Sequence, residues 1–232
     1  MRINDIEVSY FNFKYLKRFI DPARVYTYGS DWLKNSLNPI IGEKRIRYVP
    51  IATDLLFVGP AQEFETNSSE LIHFIGDECT LKFNDMEFFY DAEYIEANIT
   101  KSVAQKAKQL TLSFNAYSKY KEEVIEIANR VSSKTLNVPG TIKTPAIVEI
   151  TPSINLAAIT ITGFGESFTI NNLTAGNKIT VDGQQCTVLQ NGQNKFLDYE
   201  GWGFPKLKPG INNVSFSTSN TDITIKYKPR WK

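Results

Sequence analysis

The segment Leu110-Thr111-Leu112-Ser113-Phe114-Asn115-Ala116 alternates apolar and polar side chains with a period of two. On a helix these apolar residues would be scattered around the axis. On a half-buried antiparallel strand they share one face, so the alternation commits this stretch to a sheet. Ala146, Val148 and Ile150 repeat the pattern, as do Ile223, Ile225 and Tyr227 near the C-terminus. Turn-forming pairs punctuate the second half at short intervals: Asn171-Asn172, Asp182-Gly183, Asn191-Gly192, Pro209-Gly210 and Ser219-Asn220. Short alternating strands between regular turn signals predict a mainly β chain with sandwich architecture.

From the N-terminus, Met1 to Val8 reads as a short strand and not as a leader peptide, whereas Tyr10 to Tyr28 has no assignable period. Lys44 to Val58 is β-prone and stops at Gly59-Pro60. One helix follows, with Ser68 or Ser69 as its cap, Glu70 in the first turn and Leu71, Ile72 and Ile75 on one face. Strands are expected at Cys79–Tyr90, Tyr94–Val103, Gln109–Tyr120 and Glu123–Val131. Val138-Pro139-Gly140 and Lys143-Thr144-Pro145 then interrupt the pattern, which places a domain junction there and predicts domains at 1–138 and 139–232. In the second domain, Asp182-Gly183 has the composition of a two-residue hairpin turn between Lys178–Val181 and Gln184–Leu189.

Composition limits the chemistry. The 232 residues are 42% hydrophobic with a formal charge of +1, enough for one large core or two ordinary ones. Seventeen basic and 19 acidic residues precede residue 138, and 9 and 6 follow it. No run of Lys and Arg forms the stripe that nucleic-acid binding requires, so no nucleic-acid specificity is expected. No apolar stretch approaches the roughly 20 residues of a membrane helix, so no membrane insertion is expected. Cys79 and Cys186 fall in different predicted domains, and a disulfide between them is not expected. One histidine, His73, and two distant cysteines cannot supply a zinc site. Neither a Walker lysine loop nor a dinucleotide fingerprint is present.

The acidic residues Asp85, Glu87, Asp91, Glu93 and Glu96 could supply a glycosidase carboxylate pair, but a solvated hairpin explains them equally well. No catalytic, cofactor-binding or metal-binding residue is therefore assigned. Two aromatic stretches are candidates for recognition. Trp32 and Leu33, beside the Gly29-Ser30-Asp31 turn, either anchor an interface or close their own domain's core. Tyr199 and Trp202, with Glu200 between them, either stack on a sugar or fill the sandwich interior.

Four segments in order carry a family likeness: Trp32-Leu33-Lys34-Asn35-Ser36-Leu37-Asn38-Pro39, Phe88-Phe89-Tyr90, Thr144-Pro145-Ala146-Ile147-Val148-Glu149-Ile150 and the terminal Tyr227-Lys228-Pro229-Arg230-Trp231. Together they resemble the distal tail proteins of bacteriophages with long flexible tails. The resemblance implies a tail-tube-like antiparallel β-sandwich or barrel with one helix, followed by a galectin-like β-sandwich. It implies a non-enzymatic virion protein at the distal end of the tail, within the baseplate, forming a homo-hexameric ring. Its implied partners are further copies of itself, the tail tube protein and the tail-associated receptor-binding or lysin protein. Contacts with the tape-measure protein and a host surface glycan are further implications. The alternative reading is a carbohydrate-binding adhesion module for host attachment.

Overall fold

The computed structural model describes residues 1–22, 25–27, 37, 44–46, 48–104 and 107–232. Its architecture is antiparallel sheet throughout, with one α-helix among the described residues, in two compact units, Met1–Lys119 and Tyr120–Trp231.

In the first unit the strands run in the order Ile6–Glu7, Arg2–Ile3, Glu78–Lys82, Phe89–Ala104, Ala107–Tyr120, Val49–Val58 and Phe13–Ile20. The alternation read from the sequence sets the register. Leu110, Leu112, Phe114 and Ala116 are all buried, paired opposite Leu55, Thr53, Ile51 and Val49. The predicted N-terminal strand is a tight hairpin, because Asn4 and Asp5 both adopt positive φ between Arg2–Ile3 and Ile6–Glu7. The stretch from Tyr10 that had no readable period contains the strand Phe13–Ile20, whose pairing shifts register between Tyr15 and Lys17. That irregularity breaks the alternation. Val25–Thr27 and Lys44–Ile46 pair as a separate ribbon.

The helix spans Ala61–Ile75, a full two turns longer than expected. Pro60 stands at its N-cap, and the Phe64 amide donates to the Pro60 carbonyl at 3.2 Å. Ser68 is therefore a buried mid-helix residue and not a cap. Phe64, Ser68, Leu71 and Ile75 form the buried face at helical spacing. Phe64 meets Phe13 and Phe57 edge-on, with ring centroids 6.2 and 5.6 Å away. This aromatic trio fastens the helix to the sheet.

The second unit is a sandwich. One sheet runs Val124–Asn129, Thr221–Tyr227, Thr144–Pro152, Ile179–Asp182, Thr187–Gln190 and Gln193–Asn194, with Lys206–Leu207 also on Thr144–Pro152. The other runs Ser133–Val138, Gly210–Phe216, Leu156–Thr162, Phe168–Leu173 and Tyr199–Glu200. Every second residue of Thr144–Pro152 is buried, and Val148, Ile150, Ile161, Ile170, Ile223 and Ile225 are fully so.

The contacts divide the chain between Lys119 and Tyr120, and not at 138/139. Strands Val124–Asn129 and Ser133–Val138 each form an edge of one sandwich sheet, and Ala128, Leu136 and Val138 enter its core. Val138-Pro139-Gly140 is thus the crossing from one sheet to the other inside a single unit. Gly140 (φ +126) lies so close to the Arg230 carbonyl that a Cβ would come within 2.4 Å of it. The Thr141 amide donates to that same carbonyl at 2.9 Å, so the terminal segment clamps the crossing. Trp231 is half-buried, with the Lys121 ammonium 5.3 Å from its ring centroid.

Asp182-Gly183 is likewise not a two-residue turn. Asp182 pairs with Thr187, leaving Gly183 to Cys186 as the loop, and Cys186 takes the positive φ. The Asp182 carboxylate accepts from the Gln184 and Gln185 amides at 2.7 and 2.9 Å. Gly183 serves close packing: a Cβ there would lie 2.1 Å from the Pro205 carbonyl oxygen.

On the outer face, the Glu149 carboxylate accepts from Lys226 and Lys178 at 3.0 and 3.3 Å. Burial works to raise its pKa, but the two lysine hydrogen bonds outweigh burial and hold it below the usual carboxylate range. Because the folded value is the lower one, this contribution is present above the unfolded glutamate pKa and is lost as pH falls through the folded value. We expect Glu149→Gln to narrow the fall in melting temperature below about pH 4.5, the ordinary glutamate value. Thermal melts of both proteins from pH 7 to 3 test this; parallel curves would contradict it.

Candidate interaction surfaces

The sequence candidates part company in three dimensions. Trp32 and Leu33 lie outside the described residues. Tyr199 and Trp202 are three residues apart but occupy opposite environments.

The Tyr199 side chain is buried in a stack of rings. Phe204 lies parallel to it at 5.2 Å and 8°, with Phe168 at 5.6 Å and Phe196 at 6.0 Å. Its hydroxyl donates to the Gly203 carbonyl, and burial pushes its pKa up to about 12, so it stays a neutral donor. With its faces occupied, Tyr199 offers no platform to a ligand. This is a correction to its reading as a sugar contact: an edge strand of the sandwich needed an aromatic plug. Trp202, by contrast, is 99% exposed.

The turn at 195–198, before the strand Tyr199–Glu200, is firmly built. The Lys195 ammonium donates to Asp198 at 2.7 Å and to the Asn172 carbonyl at 3.0 Å, and the Asn172 amide donates to Asp198 at 2.7 Å. Hydrogen bonds from Lys195 and Asn172 hold the Asp198 carboxyl below the usual range. Leu197 is as exposed as Trp202 and Phe196 is half-exposed. This turn and the loop beyond Tyr199–Glu200 thus present two large apolar side chains, Leu197 and Trp202, to solvent. We expect Trp202→Ala to change stability by less than about 0.5 kcal/mol, and Tyr199→Ala to cost about 3 kcal/mol or more. Urea denaturation of the two variants checks this, and equal losses would contradict it.

The first unit presents a different surface. Strand Phe89–Ala104 pairs with Glu78–Lys82 only through Glu93. The Tyr94 amide still donates to the Asp77 carbonyl at 2.9 Å; among the described residues no strand occupies that side of 95–99, and Ile95 and Ile99 are exposed there. Val58, Tyr117 and Phe19 add further exposed apolar side chains to the unit. An unpaired strand edge with apolar side chains is a template for another chain.

The acidic cluster is structural where its contacts are visible. Arg18 grips Asp85 in a two-pronged pair at 2.7 and 2.9 Å, and its hydrogen bond holds the Asp85 carboxyl below the usual range. A carboxylate held ionised cannot act as a general acid at neutral pH. Thr80 donates to Asp91 at 3.0 Å. Among the described residues no group of acidic, His and Cys side chains could hold a metal. His73 is exposed on the helix. Both cysteines are free, Cys186 exposed and Cys79 buried with its thiol pushed up to about 12 by burial.

The surface that sequence reasoning missed is an open groove of about 540 Å³ in the second unit, walled by Lys143, Lys206, Lys208 and Glu166. These residues are scattered in sequence. Only the pairing of Thr144 with Leu207 brings the lysines together, and no local motif announces that pairing.

Comparison with known proteins identifies the company this fold keeps. Residues 139–231 match the family described as siphovirus-type tail component, C-terminal domain. The match begins downstream of the two edge strands Val124–Asn129 and Ser133–Val138 that complete the unit here. No curated protein sequence matches the chain significantly. Among solved structures, the chain is similar to the Dit protein of phage SPP1, described as a paradigm of the hub adsorption apparatus in phages infecting Gram-positive bacteria. Identity is 14%, coverage 99% of this chain and 98% of that one, and the TM-score 0.81. It is also similar to a chain of the phage P2 baseplate in its activated conformation with Ca, at 10% identity, 95% and 92% coverage and a TM-score of 0.54. The resemblance to distal tail proteins read from the sequence is borne out, as is the mainly β fold. The family and the structural neighbours are phage hub and baseplate components, not enzymes.

Proposed function

We propose that this chain forms the distal ring of a flexible phage tail, six copies joining the tail tube above to the receptor-binding or lysin-bearing protein below. The observation that carries the reading is the end-to-end likeness to the SPP1 hub protein, with both units matched in one alignment. The first unit builds the ring. Its unpaired edge at 95–99, with Ile95 and Ile99 outward, supplies backbone hydrogen bonds and apolar area that a neighbouring copy completes. The galectin-like second unit faces the partners, and the tape-measure protein meets the ring from the tube side.

Carbohydrate binding by the second unit is the alternative, and the full exposure of Trp202 favours it. The ring reading predicts that the purified full chain at high concentration gives annular particles in negative stain. Ile95→Lys with Ile99→Lys should then leave folded monomers by light scattering. Annular particles formed equally by the double variant would move the contact elsewhere. A glycan array bound by the wild type and lost in Trp202→Ala would establish the carbohydrate reading.

A further inference from the structure

The three lysines of the groove share a property that sets them apart from the other basic residues of the unit. The ammonium groups of Lys143, Lys206 and Lys208 have no hydrogen-bond, ion-pair or ring partner among the described residues. The remaining basic side chains of the unit each have an acidic, aromatic or amide partner, from Lys195 on Asp198 to Lys228 over the Tyr120 ring. The unit's unpartnered cations are therefore gathered in one concavity.

The backbone forces them together. The register that pairs Thr144 with Leu207, carried one residue further, sets Lys143 across from Lys208, and Lys206 is two residues along the same extended segment. Like charges facing each other across a ladder destabilise it. Glu166 supplies only one carboxylate against three ammonium groups.

The groove is also rigid. The buried Asn212 side chain donates to the Lys208 and Gly210 carbonyls at 2.8 and 3.0 Å, and accepts from the Lys208 amide at 3.1 Å. The Lys206 amide donates to the Phe164 carbonyl at 3.0 Å. Uncompensated positive charge on a fixed frame is the arrangement an anion relieves.

The geometry points to a binding groove for a multiply charged phosphate ligand at Lys143, Lys206 and Lys208, on the second unit and beside the loop that carries Trp202. Lysine ammonium groups meet phosphate as point charges, and a multiply charged phosphate offsets three of them better than a single carboxylate does. Lys206 and Lys208 lie about 6–7 Å apart along the chain, so a ligand must carry more than one phosphate group to meet both. The groove's own rings offer no free face for the base stacking that single strands need, and the oligonucleotide arm of the test covers the neighbouring Trp202. Phe164 is buried here, and Phe204 is stacked on Tyr199.

The test titrates sodium tripolyphosphate into the full chain at low salt by calorimetry, with inorganic phosphate and a dT oligonucleotide as parallel ligands. We expect tripolyphosphate to bind more tightly than either. Lys206→Gln with Lys208→Gln should weaken it about tenfold or more, and Glu166→Gln should tighten it. Lys14→Gln, which removes one positive charge from the first unit, should leave it unaltered. The double variant should also melt higher than wild type in phosphate-free buffer, because a repulsion has been removed, and that readout does not depend on the ligand. Absence of tripolyphosphate binding, an equal loss in Lys14→Gln, or tighter binding of the oligonucleotide would each overturn the assignment.

Discussion

Replacing Gly163 by alanine is expected to destabilise the second unit by about 3 kcal/mol or more, among the largest single effects available in this chain. Two costs combine. Gly163 has φ +97, a conformation L-residues rarely adopt, and strain of that kind costs about 1–3 kcal/mol. A Cβ would also lie 2.2 Å from the Asn213 carbonyl oxygen and 2.8 Å from the Val214 Cα, both backbone atoms that cannot rotate away. Strand Gly210–Phe216 would have to retreat from Leu156–Thr162, and overpacking of this sort costs roughly a further 1–3 kcal/mol. Gly165, with a nearly equal φ of +99, has nothing within 4 Å of the same position. Gly165→Ala should therefore carry the strain without the clash. Urea midpoints of the two variants measure the difference; if Gly165→Ala cost as much, close packing at Gly163 would not be the cause.

The second large effect is expected in the first unit. Phe64→Ala should cost about 3–5 kcal/mol, because it empties a buried aromatic site between Phe13 and Phe57 and releases the helix's first turns. This substitution also discriminates between two helix boundaries. A helix starting at Ser68 would leave Phe64 in a loop, where truncation costs little. Fluorescence-detected unfolding with loss of helical circular dichroism reads both consequences, and a loss under about 1 kcal/mol would contradict the longer helix.

That boundary shows where the sequence is legible and where it is not. Alternation fixed the strands around Leu110, Val148 and Ile225 because burial on one face demands period two. The first two helical turns, Ala61 to Asn67, hold Phe64 as their one large apolar residue, so no period marks them. Val124–Asn129 misleads in another way: Ile125 and Ile127 point outward while Ala128 enters the core. Pro139-Gly140 announces a change of direction, but a local turn signal is the same whether the chain leaves a domain or crosses between its sheets. The recognition surfaces were harder still. Tyr199 and Trp202 look alike in sequence, and only the ring stack around Tyr199 separates plug from exposed residue. The lysine groove depends on pairing between residues more than sixty positions apart.

The unpaired edge of Phe89–Ala104 on the first unit, and on the second the exposed Leu197 and the lysine groove bordered by the Trp202 loop, offer separate surfaces. A tail hub that contacts copies of itself and several unlike partners needs such separate surfaces, since one patch cannot satisfy symmetric and asymmetric neighbours together. The most direct test of the hub assignment is immunogold electron microscopy of assembled tails with antibody against the second unit. The account predicts label confined to the distal tip, at a single ring. Label distributed along the tube, or tails complete in its absence, would contradict it.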